Sequence, residues 1–514
     1  MLTTESNFAI ALPDWLQSQA NRRPHQQAIV SPDGAMTYDE LMHAASNCAA
    51  SLYDRGIRAG HRVAVAAKSS LLHTLALHAL IQLGAVIVPL NWRLSPEELA
   101  FQLGDSQARA LMYDDGAREL ADRIIKAFGR DIGAIAIDEH RRSQTTALAS
   151  GPLASAPWRR ESIQLSETHA IVYTSGTTGR PKGAMITYGN HWFSAMASVL
   201  QLGFDLEERW LVPMPLFHVG GMGVLMRSLI YGTTVVAHNG FDVERVNRAL
   251  DEDGITIASL VPAMLSRLLE HREVPYPKTL RSILLGGSAA PRGLLERALT
   301  LGVPVNQSYG MTETNTQVVT LMSHDALRKL GSSGKPLANV SIAIADKDGV
   351  PTTEPDIEGE ILVRGPSVIA GYLNRPDANE QAFRGGWFHT GDIGRLDDEG
   401  YLYVLDRRSD LIVSGGENIY PAEVESAIGK LEAVVEAAVV ARDDDTWGQV
   451  PVAFVVIRGD RPLDLDALKM SWTKQLRERL AHYKVPKAFF IVDELPRNAS
   501  GKLLRRELRE LVKR

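Results

Sequence analysis

Helical and strand patterns alternate through roughly the first 400 residues, and that alternation restricts the chain to layered α/β architecture. Thr37 with Glu40 forms a capping box ahead of a helix running to about Tyr53. Ser95-Pro96-Glu97-Glu98 opens another, with a cap, a proline in the first turn and acidic residues at the positive end of the helix dipole. Between and after them come short β-branched runs: Arg62 to Ala66, Ala85 to Pro89, Ala170 to Tyr173, Ile257 to Val261 and Ser282 to Leu285. The stretch from Ser143 to Glu161, rich in Ala, Ser and Pro, reads as a long connection. After Asp406-Arg-Arg-Ser-Asp410 the texture changes. A helix over Ala422 to Leu431, strands over Val434 to Ala441 and Pro451 to Ile457, a helix over Asp464 to Leu480 and a strand over Ala488 to Val492 predict a compact α+β module. At about 100 residues, it is large enough to be a domain.

The run Tyr173-Thr-Ser-Gly-Thr-Thr-Gly-Arg-Pro-Lys-Gly183 follows one of the strands directly. Its glycines, hydroxyls and single lysine contribute little to a core. They supply inward-turning N–H groups, hydroxyl donors and an ammonium, which are the parts needed to hold a polyphosphate. The spacing differs from a Walker A loop, which needs Gly-Lys-Ser/Thr after four intervening residues. A solvated surface turn is the plain alternative.

Bulk properties exclude several classes. A chain of 514 residues, 45% hydrophobic, buries large cores and forms more than one domain. A net charge of −6 and a pI near 6.2 give no footing for nucleic acid. The basic end, Lys502 to Arg514, is interrupted by Glu507 and Glu510 and reads as a solvated helix. Cys48 is the only cysteine and sits in a helical pattern as a small buried filler, so a disulfide framework is out and a reducing cytoplasm fits. No signal-peptide pattern opens the chain, and its longest apolar stretch, Ala79 to Leu90, is too short to span a bilayer. The expectation is a cytoplasmic protein without membrane insertion or nucleic-acid partner. A homodimer is neither required nor excluded.

Further motifs stand downstream: Pro215-Leu-Phe-His-Val-Gly-Gly221, Leu285-Gly-Gly-Ser-Ala-Ala-Pro291, Gln307-Ser-Tyr-Gly-Met-Thr-Glu313, Trp387-Phe-His-Thr-Gly-Asp392, Asp406-Arg407, Gly415-Gly-Glu-Asn-Ile-Tyr-Pro421 and Pro496-Arg-Asn-Ala-Ser-Gly-Lys502. Together with the loop, and in this order, they resemble the adenylate-forming superfamily of acyl-CoA synthetases, luciferases and peptide-synthetase adenylation domains across almost the whole chain. The resemblance implies a large N-terminal domain of layered α/β subdomains (1–406), a hinge at 407–410 and a small mobile α+β C-terminal domain (411–514). Ser409 or Asp410 occupies the hinge position. It also implies ATP, Mg²⁺ and CoA as cofactors.

The residue chemistry agrees with that implication. Thr174, Ser175, Gly176, Thr177, Thr178, Gly179 and Lys182 suit the β- and γ-phosphates. Thr312 can donate to the α-phosphate, and Glu313 is the hard oxygen ligand Mg²⁺ prefers. Tyr309, flanked by Ser308 and Gly310, offers a flat face for adenine, with Gly286, Gly287, Ser288 and Ala289 opposite. Asp392 can accept from both ribose hydroxyls, within reach of Arg407. In the superfamily the lysine at the Lys502 position bridges the attacking carboxylate and the α-phosphate. Gly415, Gly416 and Glu417 would wall the tunnel for the pantetheine arm of CoA after domain rotation. His218, Arg227, Gly287 and Met311 would line the acyl site. Bland readings stand beside these: a helix N-terminal acid for Glu313, a turn former for Asp392, one more basic-helix cation for Lys502, a packed or capping histidine for His218, a plain turn for Gly415-Gly416.

Amino-acid adenylation domains place an Asp near the position of His218, so the reading is CoA ligation. Gln307 to Leu321, Lys329-Leu-Gly-Ser-Ser-Gly-Lys-Pro-Leu337 and Asp406 to Glu423 look like the o-succinylbenzoate–CoA ligases of menaquinone biosynthesis. That substrate carries two carboxylates, one activated and one in need of an anchor. Arg227, nine residues after His218, falls where that branch carries a basic residue, although a surface arginine on a helix is the alternative. The other readings are a ligase for a medium-chain fatty or aryl acid, and a catalytically inactive nucleotide- or acyl-CoA-binding regulator.

Overall fold

The computed structural model describes residues 10–137, 156, 159–174, 181–287, 290–407, 410, 412–414, 417–419, 421–444, 447–459, 465–480, 482–497 and 503–512. Chain contacts divide it into two compact units. One comprises Met1–Ile342, Val363–His389 and Gly400–Leu402; the other comprises Ala343–Leu362, Thr390–Glu399 and Tyr403–Arg514.

The first unit is built on two large sheets. One has six strands in the order Lys182–Thr187, Thr168–Thr174, Val86–Pro89, Arg62–Ala66, Ala110–Tyr113, Gly133–Ala136, all parallel except its first, edge strand. The other has nine, with Val305–Met311, Ser282–Leu285, Ile257–Leu260, Arg209–Val212, Thr234–Ala237 and Gln27–Ser31 forming its parallel centre. Parallel strands need both faces covered, and here the layers supply this. One core joins Val63, Val65 and Ile87 of the first sheet to Ile29, Trp210, Val212 and Val235 of the second, through helices Tyr38–Asp54, Leu71–Leu83, Tyr188–Leu202 and Val219–Tyr231. Helix Leu71–Leu83 is buried from His73 to Leu83, as a helix between two sheets must be. Separate cores cover the outer faces under helices such as Pro96–Ser106 on one side and Pro262–Glu270 on the other.

Both expected capping boxes are present. Thr37 N–H donates to Glu40 at 2.8 Å and Glu40 N–H to Thr37 Oγ1 at 3.2 Å; Ser95 and Glu98 pair in the same way. Cys48 is buried on helix Tyr38–Asp54, and burial pushes its thiol up to about 12.

The second unit carries the α+β module. Its sheet runs Glu417–Ile419, Ile412–Ser414, Gly448–Ile457, Val434–Asp444, with Phe489–Ile491 parallel to Gly448–Ile457. Alternate residues face opposite sides of a strand. Val439 accordingly joins Val424, Ile428, Trp472 and Leu476 of helices Pro421–Ile428 and Leu465–Arg477, while Ala438 and Val440 join Leu508 of helix Arg505–Val512. The basic end is therefore not simply a solvated helix. Leu508 is buried, Arg505 pairs with Glu425 at 2.7 Å, and Arg509 pairs with Asp410 at 2.6 Å. Among the described residues no helix is long and apolar enough to cross a membrane.

Candidate functional site

Strands Thr168–Thr174 and Lys182–Thr187 form an antiparallel hairpin with Thr174 opposite Lys182 and Tyr173 opposite Gly183. The Gly/Thr-rich loop thus springs from a fixed stem. Gly183 is needed for close approach, since a Cβ there would meet Ile171 Cγ2 at 2.7 Å. Residues 371–373 extend along the hairpin's outer edge: Met185 N–H donates to Gly371 C=O at 2.9 Å and Leu373 N–H to Gly183 C=O at 2.8 Å.

The Gln307-to-Glu313 motif lies on strand Val305–Met311 and the 3₁₀ turn Thr312–Thr314 that follows. Its loop is pinned throughout. Met311 N–H donates to Thr314 Oγ1 at 2.9 Å, and Thr314 Oγ1 donates to Thr316 C=O at 2.8 Å. Asn315 and Thr316 both have positive φ, 48° and 100°. Such a pair of non-glycine residues is strained and persists only when surroundings enforce it. A Cβ at Gly310 would sit 1.8 Å from Thr316 C=O, so only glycine allows the strand to pass there. Gly286 and Gly287 follow strand Ser282–Leu285, the parallel neighbour of Val305–Met311, so both motifs sit at the carboxyl ends of parallel strands. Ligands of open α/β sheets collect there.

The hairpin and this loop meet at Glu313. Tyr372 O–H donates to Glu313 Oε1 at 2.9 Å, and Thr174 Oγ1 reaches the same oxygen at 3.5 Å. Lys182 Nζ lies 5.2 Å from the centre of the Tyr372 ring. Glu313 does sit in the first turn of the 3₁₀ element Thr312–Thr314, as the helix-terminal reading expects, and its carboxylate is also turned to these side chains. Among the described residues no cluster of three or more His, Cys, Asp or Glu could cage a metal. A single carboxylate is what Mg²⁺ takes when substrate phosphates supply other ligands, so Glu313 fits that ion.

Arg227 is 3% exposed. It is not a surface arginine. One Nη donates to Thr316 Oγ1 at 2.5 Å and to Ser194 Oγ at 3.2 Å, and Nε has no partner. Among the described residues no carboxylate pairs with it, and burial lowers its pKa. A guanidinium taken from water without an anion costs several kcal/mol. The centre of the Trp210 ring lies 5.6 Å from the guanidinium carbon.

His218 precedes helix Val219–Tyr231, yet its side chain makes no capping bond and its Nε2 lacks a partner. Burial first, then the Arg93 charge, lowers it to about 4, so the ring is neutral at physiological pH. It can accept or donate a hydrogen bond to a substrate without adding charge.

Asp392 lies in the second unit, 5% exposed and within strand Trp387–Leu396 rather than at a turn. The backbone beside it is held by Gly391 N–H to Glu360 at 2.9 Å and Thr390 Oγ1 to Ile361 C=O at 2.8 Å. Arg407 ends strand Leu402–Arg407 and Glu417 begins Glu417–Ile419. Asp410 pairs with Arg509 at 2.6 Å and Arg505 at 3.7 Å. Ser175, Gly176, Thr177, Thr178, Gly179, Ser288, Ala289, Ser409, Gly415, Gly416 and Lys502 lie outside the described residues. Tyr372, Ser194 and Thr316 carried no signal in the sequence reading. Only their contacts single them out.

Comparison with known proteins completes the picture. A family model described as AMP-binding enzyme matches residues 16–373, and one described as AMP-binding enzyme C-terminal domain matches 423–502. The chain is 45% identical over 502 residues to the 2-succinylbenzoate–CoA ligase of Bacillus mycoides strain KBAB4, covering 98% of this chain and 99% of that one. It is 44% identical over 503 residues to the ligase of the same name from Geobacillus sp. strain WCH70, covering 98% of each. Among solved structures, o-succinylbenzoate CoA synthetase from Bacillus subtilis with its acyl-adenylate intermediate superposes at a TM-score of 0.88, with 43% identity over 97% of this chain and 98% of that one. The same synthetase with ATP and magnesium gives 0.88 at 42% identity, over 98% and 100%.

Proposed function

The chain belongs to the AMP-binding enzyme family, and from that premise we propose that it is an ATP-dependent, AMP-forming acid–CoA ligase acting on 2-succinylbenzoate in the cytoplasm. The burial of Arg227 with no carboxylate paired to it among the described residues is the observation that supports this acid.

A carboxylate resists nucleophiles because it is already negative and oxide is a hopeless leaving group. Transfer of AMP onto it cures both defects, at the cost of bringing carboxylate and α-phosphate together. The site must therefore hold positive charge and oriented donors in advance. In the first step the succinyl carboxylate attacks the α-phosphorus and pyrophosphate leaves. Lys182 and the loop it closes hold the departing phosphates, Thr312 donates to the α-phosphate, and Lys502 lies between the two anions. Mg²⁺, when bound through Glu313, neutralises phosphate charge. Tyr309 stacks on adenine, and Asp392 with Arg407 takes the ribose. Arg227 pairs with the benzoate carboxylate, and His218 and Met311 border the acyl chain. In the second step the CoA thiol attacks the acyl carbon and AMP departs.

The two steps need different groups at one carbon. Rotation of residues 411–514 about 407–410 would exchange Lys502 for Gly415, Gly416 and Glu417. Asp410 is tied by two ion pairs to helix Arg505–Val512, which favours Ser409 as the residue that flexes.

A medium-chain fatty acid or simple aryl acid would leave Arg227 without its anion. The direct test is pyrophosphate release with 2-succinylbenzoate, benzoate and octanoate at equal concentrations. We expect kcat/KM for 2-succinylbenzoate to exceed either of the others by at least about 10-fold, the smallest effect of one charged hydrogen-bonded pair. Octanoate turned over equally well would overturn the assignment.

A further inference from the structure

Glu313 is held by a residue that none of the roles above includes. Tyr372 O–H donates to its Oε1 at 2.9 Å, and Thr174 Oγ1 approaches that same oxygen. Among the described residues Oε2 accepts no hydrogen bond. A carboxylate anchored through one oxygen has its remaining freedom of rotation removed, and its other oxygen points in a set direction.

Tyr372 is itself locked. Its N–H donates to Asn379 Oδ1 at 2.7 Å, and Asn379 Nδ2 donates back to its C=O at 2.9 Å. Its neighbours Gly371 and Leu373 are hydrogen-bonded to the phosphate-loop hairpin; the residue is 8% exposed, and its ring centre is 6.1 Å from that of Phe383. A buried tyrosine taking the nearest acceptor is common. This one differs because its ring also faces Lys182 at 5.2 Å, so a single side chain touches the carboxylate and the loop cation together.

We propose that Tyr372 is a positioning residue for the metal–nucleotide complex: it fixes Glu313 through Oε1 so that Oε2 is presented to Mg²⁺, and it sets the height of Lys182 beside it. The proposal rests on the reading that Glu313 carries the metal. Partners that orient a metal ligand typically change metal affinity by about 10–100-fold when removed.

The test is binding, without acid or CoA, so that no turnover occurs. Free Mn²⁺ is followed by its electron paramagnetic resonance signal as the ion is titrated into enzyme saturated with ATP. Tyr372→Phe removes one oxygen and is expected to weaken Mn²⁺ binding at least about 10-fold, with the KM for acid and for CoA within twofold of the parent. Glu313→Gln is expected to weaken it further. Asn379→Ala, which keeps the phenol but loosens the backbone that carries it, is expected to give a smaller change in the same direction. If Glu313→Gln weakens Mn²⁺ binding while Tyr372→Phe and Asn379→Ala match the parent, the role of Tyr372 is overturned and the metal reading stands. If Glu313→Gln also matches the parent, both fall.

Discussion

Lys502→Ala is expected to slow acyl-adenylate formation by at least about 100-fold, the usual cost of removing one preorganised donor from a developing charge. Thioester formation from acyl-adenylate supplied to the same variant is expected to stay within a few-fold of the parent. The reason is the chemistry of the two steps. Only the first brings two anions together, so only the first needs an ammonium between them. The described residues on either side of 498–502 are hydrogen-bonded to each other. Arg497 and Leu503 pair across the short segment that contains Lys502, Leu504 N–H donates to Pro496 C=O at 2.8 Å, and helix Arg505–Val512 is fastened by Leu508, Glu425 and Asp410. Measuring the half-reactions separately, by pyrophosphate release and by thioester formation, checks this; equal loss in both would contradict it.

Arg227→Ala is expected to raise the KM for 2-succinylbenzoate by about 10–100-fold, the range for a charged hydrogen bond in a dry site, and to leave the KM for ATP unchanged. Stability separates this role from a structural one. Arg227 is buried and, among the described residues, has no carboxylate beside it, so it costs folding energy in the free enzyme. Arg227→Met, of similar length and apolar, is therefore expected to melt at or above the parent temperature while binding the acid as poorly as Arg227→Ala. A matching rise in both KM values, or a large loss of melting temperature in Arg227→Met, would show an arginine kept for packing.

Local physics explains which parts were legible in the sequence. The capping boxes at Thr37 and Ser95 are contained in four-residue windows, and they formed as read. Strands Arg62–Ala66 and Ser282–Leu285 are short β-branched runs and match to the residue. The burial of Arg227 was not legible. Its helix is covered on nearly every side by neighbours remote in sequence, and a guanidinium in a helical pattern reads as solvent-facing until Ser194 and Thr316 are seen against it. The left-handed pair Asn315–Thr316 was hidden for the same reason, since non-glycine residues give no hint of positive φ. Tyr372 looked like one aromatic among many, and its importance comes from Glu313, fifty-nine positions away in the chain. Leu508 gave too weak an apolar stripe in a highly charged helix to show that the helix packs on a sheet. The second compact unit is also discontinuous, gathering 343–362 and 390–399 with the C-terminal residues. A reading that moves along the chain finds changes of texture but not returns of the chain.

The central claim is that this enzyme activates a carboxylate by joining it to AMP. Supplying 2-succinylbenzoate with ¹⁸O in its succinyl carboxylate, together with ATP and CoA, and recovering the products by mass spectrometry tests it directly. Attack on the α-phosphorus leaves one carboxylate oxygen on that phosphorus when the thiol displaces AMP, so the account requires AMP carrying a single ¹⁸O and unlabelled pyrophosphate. Label recovered in inorganic phosphate alongside ADP would contradict it.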